Sequence, residues 1–423
     1  MENSKSTITV LALLYFFLLG AVQYFYVGTL FGYFQFKSEF SLFNLALSIF
    51  SILCVYVLLN PRGLAIAYSQ VLYVLILIPS LVLFTFGGAS IEFFFITFLS
   101  TLIVAFFVTY MKPPVVTGYQ FNTDTLLLIF IAISVLYLLS IVAQGGLSYL
   151  NFNLSKVYDY RGAAADNLPS FYKYLSPLVG KVLVPLIIVM SVIKRKIFYM
   201  LIGVGCSVMI FGLTSHKAPV IYPILVLALY YMPWRNLPIY MLSGVIFICI
   251  VSFWDFYMMA NSSSPYFGWF GSILSRRALL IPAHLNSMYI EFFSQNPVYL
   301  WSESKFSFGL SEMPYKLPSV FMIGYNFYGD MEISANTGWI GSGFANFRIY
   351  GVIIYSVILG SILAYFSALG DRIGQKFVFG ATFVVVITLF SSTDLTTALL
   401  THGLLALLFI MLFFRENAMS GNV

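Results

Sequence analysis

Ile91 to Met111 reads IEFFFITFLSTLIVAFFVTYM, with Glu92 its only charged residue. Coiled as an α-helix, it would measure roughly 30 Å, the thickness of a bilayer's hydrocarbon core. Its apolar residues run on without alternating, unlike the strands of a membrane barrel. Only helices and closed barrels satisfy every backbone group in lipid, so this stretch is expected to be a transmembrane helix. Working outward from it, twelve candidate spans follow: Ile8–Val27, Phe40–Leu59, Leu64–Phe86, Ile91–Met111, Asp124–Ala143, Pro177–Ile193, Ile197–Leu213, Pro219–Met232, Leu237–Phe256, Phe347–Leu369, Phe377–Phe390 and Thr396–Phe414. The expected fold is an all-α polytopic membrane protein of about 12 transmembrane helices, a single membrane domain over residues 1–423.

Composition agrees. The chain is 61% hydrophobic and only 9% charged, whereas a soluble domain carries about 25% charged residues. Cys54, Cys206 and Cys249 each lie inside an apolar run without CxxC spacing, so neither a disulfide framework nor a zinc site is expected. The first run, Ile8–Val27, ends without a small-residue cleavage motif and is expected to stay as a span. Net charge is +6, yet no contiguous basic face suited to nucleic acid is visible. Walker A, dinucleotide-binding and serine-hydrolase motifs are absent, and no cofactor or metal is expected.

The distribution of positive charge sets orientation. With the N-terminus inside, the inner connections collect ten basic residues: Lys5, Arg62, Lys112, Lys194, Arg195, Lys196, Arg235, Arg372, Lys376 and Arg415. The short outer connections collect only Lys37 and Lys217. Both termini are then cytoplasmic, and two long polar loops, residues 145–176 and 257–346, lie on the opposite face. A simple carrier can keep its site at the midplane between helices. Arg, His and Tyr gathered in loops on one face point instead to chemistry or recognition there.

The first loop carries Tyr160 and Arg161 within Tyr158-Asp159-Tyr160-Arg161-Gly162. Aromatic faces stack on sugar rings and a guanidinium forks phosphate oxygens, although a solvated helix on the membrane surface would look the same. The second loop carries Arg276-Arg277, then His284 seven residues after Arg277. Adjacent arginines beside apolar sequence are costly without an anion, and a pyrophosphate at the membrane surface would serve; snorkelling to lipid headgroups is the plainer alternative. His284 is a candidate base or a packing residue. Tyr289 and Lys305 extend the candidate substrate-binding set, and Lys217, in a short outer link, reaches a phosphate or anchors a span end. Asp330 and Glu332 are the only close acidic pair in either loop; Asp330 is a candidate base for a sugar hydroxyl.

Arg276-Arg277, Pro282-Ala283, Tyr289-Ile290-Glu291-Phe292-Phe293, Asn296-Pro297 and Trp301-Ser302-Glu303-Ser304-Lys305 together resemble the large periplasmic loop of bacterial O-antigen polymerases, the Wzy-type oligosaccharide repeat-unit polymerases. Ala335-Asn336-Thr337-Gly338-Trp339-Ile340-Gly341 and Phe344-Ala345-Asn346-Phe347 look like that family's return into the membrane. Arg348 stands where the family commonly has Gly, and an Arg-x10-Gly motif of some members is absent, since Tyr172 follows Arg161 and Met288 follows Arg277 at that distance. The resemblance implies a metal-independent glycosyltransferase of the bacterial inner membrane, acting on the periplasmic face. Its substrates would be undecaprenyl-pyrophosphate-linked oligosaccharides, its surroundings membrane lipids, with a separate chain-length regulator protein as a partner. Arg276, Arg277, Arg161 and Lys217 would hold the donor pyrophosphate, with His284 or Asp330 as base. A lipid-linked oligosaccharide flippase and an O-antigen ligase are the rival readings.

Overall fold

A computed structural model of the chain describes residues 2–58, 61, 63–116, 118–153, 157, 160, 168–262, 264, 266–416 and 419. Among these residues the fold is all-helical, with one isolated bridge between Glu39 and Gly87 in place of any strand. The helices are α1 Lys5–Leu30, α2 Leu42–Leu58, α3 Leu64–Phe86, α4 Ile91–Tyr110, α5 Thr123–Ala143, α6 Tyr172–Ile193, α7 Ile197–Thr214, α8 Ala218–Tyr231, α9 Leu237–Asn261, α10 Ile281–Gln295, α11 Ser319–Tyr328, α12 Trp339–Ile373, α13 Gln375–Ser391, α14 Leu395–Leu400 and α15 Leu404–Met411. Their starts follow local chemistry. The Ser90 hydroxyl accepts from the Phe93 N–H at 3.1 Å, and Asn122 accepts from the Asp124 N–H at 2.8 Å, each closing an otherwise orphan donor. Pro219, Pro238 and Pro282 occupy first turns, where a missing N–H is harmless.

Among the described residues, eight helices are long and apolar enough to cross a membrane: α1, α3, α4, α5, α6, α7, α9 and α12. α2, α8 and α13 are apolar but shorter. Of the twelve expected spans, three correspond to these shorter helices, and a fourth is interrupted. Thr396–Phe414 is not one helix: the chain turns at Thr401–Gly403, where Gly403 takes φ +84°, and α14 and α15 are separate pieces. Its apolar composition hides that break.

α12 also departs from a single straight span, because its first two turns fold back on the rest. Phe347 (φ −144°, ψ 27°) and Arg348 (φ 50°, ψ −136°) leave helical geometry. Trp339 Nε1 donates to Ser356 Oγ at 3.1 Å. On an unbroken helix, that separation in sequence would put them about 25 Å apart. Gly343 and Gly351 make the reversal tight, since a Cβ on Gly351 would lie 2.0 Å from the Gly343 carbonyl oxygen. Residues 257–346, expected as a polar loop, are therefore rich in helix: they hold the end of α9, α10, α11 and the start of α12.

Two compact units divide the chain. The first comprises Met1–Met111, Pro233–Ala364 and Thr388–Thr396. It contains the largest fully buried side chains, among them Trp339, Tyr289, Tyr299 and Tyr355. The second comprises Lys112–Met232, Tyr365–Ile387 and Thr397–Val423. In it, Lys194 and Lys196 both hold Asp124 at the start of α5, at 2.8 and 2.9 Å.

Candidate functional site

The site is assembled in the first unit by a nine-residue π-helix, Ser272–Leu280, which leads into α10. Its start is fixed from α9. Asp255 accepts from the backbone N–H groups of Gly268 and Gly271 at 2.9 and 2.8 Å, and Ser252 meets Ser275 at 2.6 Å. Gly271 permits the approach, because a Cβ there would lie 2.7 Å from the Phe256 ring. Asp255 thus has a capping task that its position at a span end did not disclose.

The π-helical turn places Arg276 inside and Arg277 outside: Arg276 is 4% exposed, while Arg277 is open to solvent. The Arg276 fork donates from Nε and Nη2 to Ser272 Oγ at 3.2 and 2.7 Å. Its guanidinium carbon lies 4.2 Å from the centre of the Phe31 ring and 5.3 Å from that of Phe34. No acidic side chain pairs with it among the described residues. Burial, and then the neighbouring Arg277, push its pKa down. Arginine nonetheless keeps its proton in proteins, so the charge stays and must be borne. An uncompensated buried ion costs several kcal/mol, and a cation over aromatic faces recovers roughly 0.5–2 kcal/mol each. The balance favours an anion seated at this guanidinium.

The segment Phe31–Lys37 connects Arg276 to His284. The Phe34 carbonyl lies 2.9 Å from His284 Nε2, and Phe36 stacks on the imidazole at 4.0 Å. A carbonyl only accepts, so Nε2 carries the proton and Nδ1 is the ring's acceptor. Burial lowers the His284 pKa to about 4, with Lys37 acting in the same direction and the Phe34 bond opposing. Beside it opens a cleft of about 100 Å³ lined by Gln35, Lys37, Ser287, Glu291 and Phe327. That is well below the roughly 300 Å³ of ordinary ligand pockets, so a large substrate would lie on the open face. α11 closes the other side: Tyr328 meets Phe34 edge-on at 5.7 Å, and its hydroxyl pKa is pushed up to about 12 by burial, against the pull of Arg276.

Arg276, Arg277 and His284 are therefore brought together around one aromatic segment. Asp330 follows the end of α11; it is exposed and accepts from the Glu332 N–H at 2.8 Å. Tyr289 is fully buried, and its hydroxyl donates to the Ala335 carbonyl at 3.0 Å, so it holds the returning segment rather than facing solvent. Burial raises its pKa far above the ordinary phenol. Lys305 is exposed on the short turn Lys305–Ser307. Nearby, Glu303 accepts from the Ser319 N–H and hydroxyl; its surroundings raise its pKa and those bonds oppose the rise. In the second unit, Lys217 is exposed at the start of α8, and Tyr160 is half-buried. Arg161 lies outside the described residues.

The motif residues of the return segment have structural partners. Asn286 Oδ1 accepts from Thr337 Oγ1 at 2.7 Å and from the Gly341 N–H at 3.0 Å. Trp301 donates from its N–H to Asn346 Oδ1 and from Nε1 to Tyr355, both at 2.8 Å. Sequence reasoning missed Phe31, Phe34, Gln35 and Lys37, reading them as a plain outer connection. Their signal was the density of aromatics in FGYFQFK, residues 31–37. It also passed over Lys181, a lone cation within an apolar run, which meets His402 in the second unit. Among the described residues, no group of three or more His, Cys, Asp or Glu side chains is placed to hold a metal ion.

No protein-family model, curated protein or solved structure matches the chain.

Proposed function

We propose that this chain is a membrane glycosyltransferase that polymerises undecaprenyl-pyrophosphate-linked O-antigen repeat units on the periplasmic face of the bacterial inner membrane. The observation that carries this reading is the buried Arg276 guanidinium, which has no carboxylate partner among the described residues, with Arg277 exposed beside it. In this reading the two arginines bind the donor pyrophosphate. They neutralise the charge that develops as the anomeric carbon–oxygen bond to phosphate breaks, an effect of several kcal/mol per well-placed donor. The acceptor hydroxyl oxygen forms the new bond, and its proton passes to a base. Asp330 is the better candidate, since its carboxylate is exposed. With a pKa near 4 and one nitrogen occupied, His284 serves better to position the Phe31–Lys37 segment. The ten-to-two distribution of basic residues supports the periplasmic placement of residues 257–346.

One observation favours the rival flippase reading: Lys181 and His402 place ionisable groups within and against a span, as transporters do. A deletion strain separates the two. If this chain polymerises, its lipopolysaccharide ladder collapses to core plus a single repeat unit. Loss of that single-unit band as well points to the flippase or ligase, and an unchanged ladder overturns the proposal.

A further inference from the structure

We propose that Lys181 and His402 form a membrane-embedded proton-binding site that takes up and releases one proton. This goes beyond the reading of the first unit and stands whatever reaction that unit performs.

Depth is the first observation. Lys181 lies within α6, one of the helices long and apolar enough to cross a membrane. At 1.5 Å per residue it is about 13 Å from one end of that helix and about 18 Å from the other. α5 runs alongside and marks both sides. Tyr137 of α5 donates to Ser176 at 2.7 Å just before Lys181, and Asp124 meets Lys194 beyond the far end of α6.

Local geometry is the second. Lys181 is carried by a π-helical turn, Val179–Leu183, of the kind often found at functional sites. His402 lies in the break between α14 and α15, where the Thr401 and His402 N–H groups both turn back to the Thr397 carbonyl. The break is seated on the π-helical turn: a Cβ on Gly403 would lie 2.7 Å from Val182 Cγ2. Interrupted helices at membrane depth are where transporters bind their coupling ions.

Chemistry is the third. Lys181 Nζ and His402 Nδ1 are 3.0 Å apart. With the ammonium form, Lys181 donates to the Nδ1 lone pair of a neutral imidazole. After one proton leaves, the neutral amine accepts from Nδ1–H of the other tautomer. The hydrogen bond survives in both states, and only the charge changes, from +1 to 0. No acidic side chain pairs with either residue among the described residues. The packed elements bring Tyr137, Tyr172, Cys206 and Tyr222, none of which is a carboxylate or a basic group. Lys173 is exposed near the start of α6, Lys376 lies over Tyr230, and Asp124 is engaged by Lys194 and Lys196.

The full-length protein, labelled with ¹⁵N-histidine and held in lipid nanodiscs, tests this directly. The chain has three histidines, and His402→Gln identifies the relevant signal. The expected result is a single step in the His402 Nδ1 shift between about pH 5 and pH 9, abolished in Lys181→Arg, whose guanidinium keeps its proton. A flat wild-type titration overturns the proposal, and so does a step that persists in Lys181→Arg. If Lys181→Arg lowers the melting temperature, the Lys181 ¹⁵Nζ shift of the wild-type protein is followed instead: a step at the same pH as that of His402 is expected, and a Lys181 shift that stays flat across that step overturns the proposal.

Discussion

Arg276 in the first unit and Lys181 in the second both sit in π-helical turns, and neither meets a carboxylate among the described residues. Their surroundings differ. Arg276 is held by a serine and two aromatic rings, beside a second, exposed arginine. Lys181 lies in a span and is hydrogen-bonded to a histidine at a helix break. Arginine cannot shed its charge, so the first arrangement calls for an anionic ligand. Lysine can, so the second arrangement relieves itself by losing a proton. A π-helical turn carries the cation in each case, and the side chain decides the chemistry.

The sharpest way to break this contrast is at the first cation. Arg276→Ala is expected to lower polymer formation by about 10²–10³-fold, the range for losing one preorganised donor. Arg277→Ala, at an exposed position, should keep normal protein levels and cost less; both are read from ladder length and membrane abundance. A ladder unaffected by either removes the anion site from the account.

The rigidity of the first unit can be tested at its hairpin. Gly351→Ala puts a Cβ 2.0 Å from the Gly343 carbonyl oxygen, and should destabilise by about 3 kcal/mol, seen as a lower melting temperature in detergent. His284 offers a pH test. Its folded pKa of about 4 lies below the unfolded value of about 6.5, so the unfolded chain binds the extra proton first. Above pH 6.5 the group has no effect. Stability should fall as pH drops from about 6.5 to about 4, by about 3 kcal/mol in all, and then level off. His284→Phe should flatten that part of the profile.

The smallest expected effect is a gain. Arg348 is exposed and holds φ 50° and ψ −136°, a conformation natural to glycine. Arg348→Gly should therefore stabilise by about 1–2 kcal/mol in a thermal melt. An unchanged or lower melting temperature would mean that the arginine side chain itself holds the turn.

Much of this architecture was legible in the sequence, and the failures have identifiable causes. Long apolar runs announced α3 through α7, because lipid demands length and apolarity together. The fold-back of α12 was not legible as a hairpin, since its reversal rests on two backbone conformations and a glycine pair rather than on a change of composition. The oddity of Arg348 in place of glycine did mark the spot. Arg276 and Arg277 stood out as a pair, but sequence could not divide them into one buried and one exposed residue, which depends on the π-helical phase. Tyr289 read as a ligand-facing aromatic, and only tertiary packing turned its hydroxyl to Ala335. Lys181 was readable in principle as a lone cation in a span; its partner, more than two hundred residues away, was not.

In the proposed reaction Arg276 and Arg277 hold a lipid pyrophosphate while a sugar is transferred from it. The most direct measurement supplies the purified chain in nanodiscs with undecaprenyl-pyrophosphate-linked repeat units and follows products by mass spectrometry. One undecaprenyl pyrophosphate is expected to be released for each repeat unit added, with both products lost together in Arg276→Ala. Repeat units that cross the bilayer intact, with no lengthening and no pyrophosphate carrier released, would contradict that reaction.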